Sequence, residues 1–378
     1  MKFAQTLAVA LVSLVPAASL PATAQTFRTS AGEIKVETVA RGLSHPWSLA
    51  FLPDGRMLVT ERPGRMRFVS RDGTLSPPFS GIPKLYVRQQ AGLLDVALDR
   101  DYANNHTLYF CYIEPADGGG REAVDRARVV EGERPRLEDV QRIFQQRGPA
   151  GQGLNMGCRI AQGADGNLFV TLGDHFQYRD LAQNLDDDIG KIVRIRPDGS
   201  VPPDNPFVDR KGARPEIWTY GNRNPQGLAF DPKSGKLWEI EHGPRGGDEV
   251  NIIEPGRNYG WPVIGYGVDY SGAKIHESTH KAGMEQPLKY WVPSIAPSGL
   301  AFYEGDLFPA WRGNLFLGAL AGELLVRLTV EGNKVTHEER LLHQLGERIR
   351  DVRQGPDGAL WLLTDNSNGR ILRLAPAR

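Results

Sequence analysis

The chain of 378 residues has almost no cysteine and no net charge, and past its first two dozen residues it has no long apolar run. Each absence excludes something. Two cysteines, Cys111 and Cys158, cannot supply a disulfide framework for a chain this long. They are expected as small buried residues on separate strands, with pairing as the alternative that an oxidising compartment allows. Lys plus Arg equals Asp plus Glu at 45 each, so there is none of the basic excess that nucleic-acid binding uses. A small anionic ligand needs only local positive charge and stays open. No HExxH, CxxC, GxSxG, Walker or Rossmann pattern occurs. Zinc-protease, serine-triad and nicotinamide chemistry therefore lack support. Helical periodicity is weak past the N-terminus, with one brief candidate around Asp180 to Leu185.

What is present begins with an export signal. Lys2 is followed by the apolar LAVALVSLV, then Ala22-Thr23-Ala24 as an A-x-A cleavage site. Pro16 and Pro21 interrupt the run, which is too short for a membrane span. Residues 1–24 read as a signal peptide and 25–378 as one exported, periplasmic domain.

Glycine is abundant at 43 residues, and so is proline at 27. They punctuate a unit of strand, turn and strand that recurs six times. Four copies align without a gap, from His45 to Leu58, Asn155 to Leu168, Asn224 to Leu237 and Glu347 to Leu360. Two with longer turns end at Leu108 and Leu315. The second strands, such as RMLVTER, NLFVTLGD and ALWLLTD, are short and rich in β-branched and aromatic residues. Sixfold recurrence predicts an all-β fold, a six-bladed β-propeller. IKVETVA, residues 34–40, is expected to complete the last blade beside GRILRL.

In a propeller the first strand of each blade lines the channel, so the residues before it crowd one mouth. Here these are His45 and Trp47, Gln89 and Gln90, Asn155, Arg223 and Asn224, Ser294 and Ser298, and Arg348 and Arg350. Convergent polar groups at a concave mouth suggest a binding site. Arg223, Arg348 and Arg350 near one axis call for a ligand bearing carboxylates or phosphate; Asp351 is a neighbour that would neutralise part of this charge. In EHGPRGGDE, Gly243 and Pro244 offer carbonyls, Asp248 and Glu249 carboxylates, and nearby Tyr259 a further oxygen. All-oxygen ligation suits Ca²⁺.

At these segments the chain resembles the periplasmic PQQ-dependent aldose sugar dehydrogenases, grouped with glucose/sorbosone dehydrogenases. The resemblance runs through HPWSLAFLPDG, QAGLLDVAL, EIWTYGNRNPQGLAF, EHGPRGGDEVNI, NYGWPVIGYGVDYSG and RIRDVRQGPDG, nearly the whole mature chain. It implies a six-bladed propeller binding pyrroloquinoline quinone (PQQ), a planar tricarboxylate, with Ca²⁺ over the channel mouth. It implies oxidation of a sugar or aldehyde, an aldose C1 hydroxyl going to the lactone, with an electron acceptor that the sequence does not name. Arg223, Asn224, His242, Ser294, Arg348 and Arg350 would contact the cofactor, with Arg223 near the reacting oxygen. Gly243 and Pro244 would hold its Ca²⁺, and Asp248, Glu249 and Tyr259 a second, structural Ca²⁺. Gln90 matches a substrate contact. One position departs. The family's general base is a His in H-F-G-[GS]-R, and this chain reads Asn155-Met-Gly-Cys-Arg159. Asn cannot accept a proton. His175 is the candidate to replace it; an inactive propeller that still binds cofactor or sugar is the alternative.

Overall fold

The computed structural model describes residues 24–377. Apart from residue 24, the expected signal peptide lies outside them. The strands form six small antiparallel sheets. Their inner strands are Pro46–Phe51, Leu93–Leu98, Ile160–Gln162, Pro225–Phe230, Pro297–Phe302 and Ile349–Gln354, for blades 1 to 6 in turn. Each inner strand packs against the next, and that of blade 6 returns to blade 1. The ring is the expected six-bladed β-propeller.

Blade 6 closes the ring with both chain ends. Gly32–Leu43 pairs with Gly369–Pro376, and Gln25–Thr29 adds a fifth strand. The expected 34–40 strand lies inside that pairing. The short helical candidate is a single 3-10 turn, Arg179–Gln183.

The repeat is the physical cause of the ring. Its inner and second strands are buried on both faces, so they read as nearly continuous apolar runs. The hairpins between them turn through glycines such as Gly55, Gly166 and Gly358, all at positive φ. Apolar side chains then meet between blades. Leu58, Met66 and Phe68 of blade 1 face Leu93, Val96 and Phe110 of blade 2. Trp238 and Ile240 of blade 4 face Leu300, Phe302 and Leu317 of blade 5. Each such side chain contributes about 1.5–3 kcal/mol when fully buried.

The two cysteines are joined, which corrects the expectation that they stay apart. Cys111, on the second strand of blade 2, bonds Cys158 ahead of blade 3, at a sequence separation of 47. Separate strands in sequence become neighbours because adjacent blades splay little near the axis. A loop of that length is stabilised by about 4 kcal/mol in the chain-entropy model. The crosslink also pins the segment that carries Asn155.

Candidate functional site

The chain enters four of the six inner strands through strained backbone. His45, Gln89, Asn155 and Ala296 lie at φ 47–52° ahead of blades 1, 2, 3 and 5. Left-handed backbone is uncommon for residues other than glycine and tends to cluster at functional sites. The repeat therefore delivers turned-in loops to one mouth.

On the side of blades 6 and 1, the mouth opens into a cavity of about 480 Å³. His45, Arg62, Gln90, Arg348, Arg350 and Asp365 line it. Asp365 is the carboxylate here, accepting from Arg350 Nη2 at 2.6 Å and facing His45 Nδ1 at 2.7 Å. Burial opposes its charge, but Arg350 outweighs burial and holds its pKa well below the carboxylate range. Asp351, expected to do this, points deeper and pairs with Arg159 and Arg353 at 3.2 and 3.0 Å. Side chains alternate along a strand, so Arg350 and Asp351 face opposite ways. Among the described residues the Arg348 side chain reaches only the Leu320 carbonyl, at 3.1 Å. Among the described residues Arg62 has no ion-pair partner, and burial together with Arg350 and Arg348 pushes its pKa down. Arg350 and Arg223 each keep a buried Nε without a partner. Two positions expected at the mouth lie below it. Trp47 is buried with the Arg159 guanidinium 4.1 Å from its ring centroid, and Ser298 bonds the Ile349 carbonyl at 2.6 Å.

Across the mouth, blade 4 carries acid. Arg223 is buried over Trp261 and donates from Nη1 to the His242 and Gly243 carbonyls at 2.9 and 2.7 Å. Asn224 accepts from Gly157 N–H at 3.1 Å. His242 Nε2 lies 2.7 Å from the Pro297 carbonyl, so Nε2 carries the proton. Burial, then Arg223 and Arg350, push its pKa down to about 3, so the ring is neutral. A pocket of about 20 Å³, the size of one water or ion, lies among Arg223, Glu241, Gly243, Pro244, Glu249 and Tyr259. Glu241 and Glu249 are cross-strand partners. Burial pushes Glu241 up to about 7, and burial and Glu241 push Glu249 well up. Glu239, one step down the same strand face, is also raised and leaves Oε1 unpartnered. Buried carboxylates forced to hold protons suit a divalent cation, which would displace those protons.

The other two expected metal ligands are engaged elsewhere. Asp248 accepts from Gly243 N–H, Ser294 Oγ, Ile295 N–H and Ala296 N–H at 2.7–3.0 Å. It ties the blade 4 loop to the blade 5 loop, and Ser294 is committed to it. The Tyr259 hydroxyl donates to the Ile252 carbonyl at 2.6 Å. Among the described residues no three His, Cys, Asp or Glu side chains converge as a ready-made metal shell. A cation here would need carbonyl oxygens as well.

Asn155 stands between the two sides. Gln90 Oε1 accepts its N–H at 2.9 Å, and its amide nitrogen donates to Asp174 Oδ1 at 2.9 Å. Asp174 also accepts from Phe176 N–H and Trp261 Nε1. Asn155 Oδ1 takes no hydrogen bond among the described residues, so it can accept one from a hydroxyl but not hold its proton. His175 does not replace the base. It is fully enclosed, with Nε2 2.8 Å from Glu122 and Nδ1 3.1 Å from the Pro149 carbonyl. Both nitrogens face acceptors, so both carry protons. Burial favours the neutral ring, but Glu122 outweighs it and raises the pKa. The result is a buried ion pair with no lone pair to offer.

The glucose/sorbosone dehydrogenase family model matches residues 43–373. The chain belongs to that family. It is 46% identical over 347 residues to the aldose sugar dehydrogenase YliI of Escherichia coli, covering 91% of this chain and 93% of that one. A crystal structure of a glucose dehydrogenase aligns with TM-score 0.88 and 50% identity, over 91% of this chain and 99% of its own. The PQQ-bound aldose sugar dehydrogenase of Streptomyces coelicolor aligns with TM-score 0.76 and 30% identity, over 94% and 99%.

Sequence reasoning missed Arg62, Asp365, Glu239 and Glu241. Arg62 and Asp365 follow the second strands of blades 1 and 6, so the repeat register that found the inner loops would have found them one strand further on.

Proposed function

We propose that this family member is a periplasmic quinoprotein that binds PQQ and Ca²⁺ at the channel mouth and oxidises an aldose at C1. One observation carries the reading. Arg62, Arg348 and Arg350 line one side of the mouth and Arg223 the other, among the described residues Arg350 alone of the four has a carboxylate partner, Asp365, and two of their buried Nε atoms lack partners. Such a mouth fits a planar polycarboxylate. Arg348, Arg350 and Arg62 would hold carboxylates on one side, and Arg223 and Asn224 the far edge. Neutral His242 adds no charge and keeps Asn224 in place. Gly243, Pro244, Glu241 and Glu249 offer the oxygen set for cations. When bound, the quinone supplies the hydride acceptor. The signal segment and the Cys111–Cys158 crosslink support export to an oxidising compartment.

Asn155 sets the rate. Gln90 and Asp174 fix its position, so it can orient a sugar hydroxyl through Oδ1. The departing proton then has no imidazole to take it there, and Asp174, the carboxylate beside Asn155, is already engaged by Asn155, Phe176 and Trp261. A missing general base costs about 10²–10⁴-fold. This observation favours a second reading, an inactive family member that binds cofactor or sugar without turnover.

The test is reconstitution with PQQ and Ca²⁺, following cofactor absorbance and then dye reduction with several aldoses. Stoichiometric PQQ binding with slow, sugar-dependent dye reduction is expected. Binding without any reduction selects the second reading; absence of PQQ binding removes the first and the cofactor-binding form of the second.

A further inference from the structure

Beside the mouth, residues 174–176 read Asp-His-Phe, with no glycine. Yet His175 and Phe176 are both left-handed, at φ 53° and 65°. Two consecutive bulky residues in that region are costly. The turn sends them opposite ways. His175 goes inward to Glu122, and Asp174 Oδ1 accepts the Phe176 N–H at 2.7 Å. Phe176 is thereby held outward, 44% exposed, against Tyr270, 59% exposed. Their rings stack at 6.2 Å and 30°. An exposed aromatic pair on strained backbone does not serve the core.

The pair forms one wall of a chamber of about 260 Å³. Asp174, Asp180, Arg223 and Trp261 line it as well. Arg179 and Asp269, 3.7 Å apart, bridge the two loops at the rim. The chamber shares Arg223 and Pro244 with the cation pocket, and its Asp174 is the group that holds Asn155. An apolar face set against several charged oxygens and nitrogens matches a pyranose, whose C–H faces are apolar and whose edge carries hydroxyls.

We propose that Phe176 and Tyr270 form a stacking subsite for the pyranose ring of the substrate, setting affinity for ring sugars. The inference rests on the aldose dehydrogenase reading and names its sugar-contacting wall. Binding energy gathered there is remote from the reacting carbon and orients it.

The experiment uses full-length mature protein loaded with PQQ and Ca²⁺. Binding of D-glucose is measured by calorimetry and ligand-observed NMR, beside a PQQ titration on each variant. Phe176→Leu and Tyr270→Leu should each weaken D-glucose binding about three- to tenfold. Phe176→Tyr should keep it, and glyceraldehyde, which forms no pyranose ring, should be unaffected. PQQ affinity should not change, because neither ring lines the cofactor side of the mouth. Equal D-glucose affinity in wild type and both leucine variants, or no D-glucose binding to PQQ-loaded wild type, overturns the subsite. Failure of wild type to bind PQQ instead overturns the functional reading beneath it.

Discussion

Two groups of arginines lie along the propeller axis, and they differ in what faces them. Deep in the channel, Arg159 and Arg353 share Asp95 and Asp351, two cations with two anions, at 3.0–3.4 Å. At the mouth, Asp365 pairs with Arg350, and among the described residues Arg62, Arg223 and Arg348 have no ion-pair partner. In the deep set Arg159, Asp95 and Asp351 are enclosed, with Arg159 1% exposed. The mouth set is open to a cavity. Matched charge holds blades together around the axis, and unmatched charge waits for a ligand. The same contrast separates the two positions that compete for the general-base role. His175 is paired and enclosed with Glu122, whereas Asn155 keeps a free oxygen at the mouth.

The largest expected effect breaks the matched set. Asp95→Asn leaves buried Arg159 short of a counter-ion and keeps one acceptor oxygen where two are used, one by Ser48 Oγ and Arg159 and the other by the Ile160 N–H. Loss of about 3–5 kcal/mol is expected, read by urea unfolding. An unchanged midpoint would mean the deep network is not structural. Next, Asn155→His beside Asp174 should restore a proton acceptor. Dye reduction with PQQ-loaded enzyme should then rise about 10²–10⁴-fold, with PQQ affinity unchanged. No rise would place the rate limit elsewhere.

Breaking the unmatched set should spare the fold. Arg348→Ala and Arg62→Ala are each expected to weaken PQQ binding about 10–100-fold, the size of a charged hydrogen bond. Unfolding midpoints should stay level or rise, since mutual repulsion is relieved. A loss of stability with unchanged PQQ affinity would reverse the assignment.

The smallest effect concerns the acidic side. Glu241 has a raised folded pKa, so the folded state binds more protons than the unfolded one between the ordinary carboxylate range and about pH 7. Its contribution to stability therefore falls as pH rises through that window and stays low above it. A cation among these carboxylates should offset the loss. Millimolar calcium is expected to raise Tm by a few degrees near pH 8 and hardly at all near pH 5. Equal shifts at both values would mean calcium binds elsewhere.

The fold was legible in the sequence because each blade is a local unit of turn chemistry and apolar strand, copied six times. Most of the mouth was legible for the same reason, since register alone placed Gln90, Asn155, Arg223 and Arg350. Ser298 and Trp47 show the limit of register, for a strand's first residues alternate between cavity and core. Asp248 and Tyr259 show another. They lie among oxygen-rich loops, but their side chains are consumed by hydrogen bonds, Asp248 with the blade 5 loop and Tyr259 with Ile252 and Glu254 of its own blade. Nothing in the local sequence reveals that.

By itself, then, the sequence determined the propeller, the mouth, its arginines and the Asn in place of a base, because these depend on short-range pattern and residue identity. Only the tertiary structure decided which charges are matched. Asp365 meets His45 across 320 residues, Asp351 turns from Arg350 to Arg159, Glu122 locks His175, and Cys111 meets Cys158. Pairing is set by distances of a few ångströms between blades, and closing the ring is what brings those groups together.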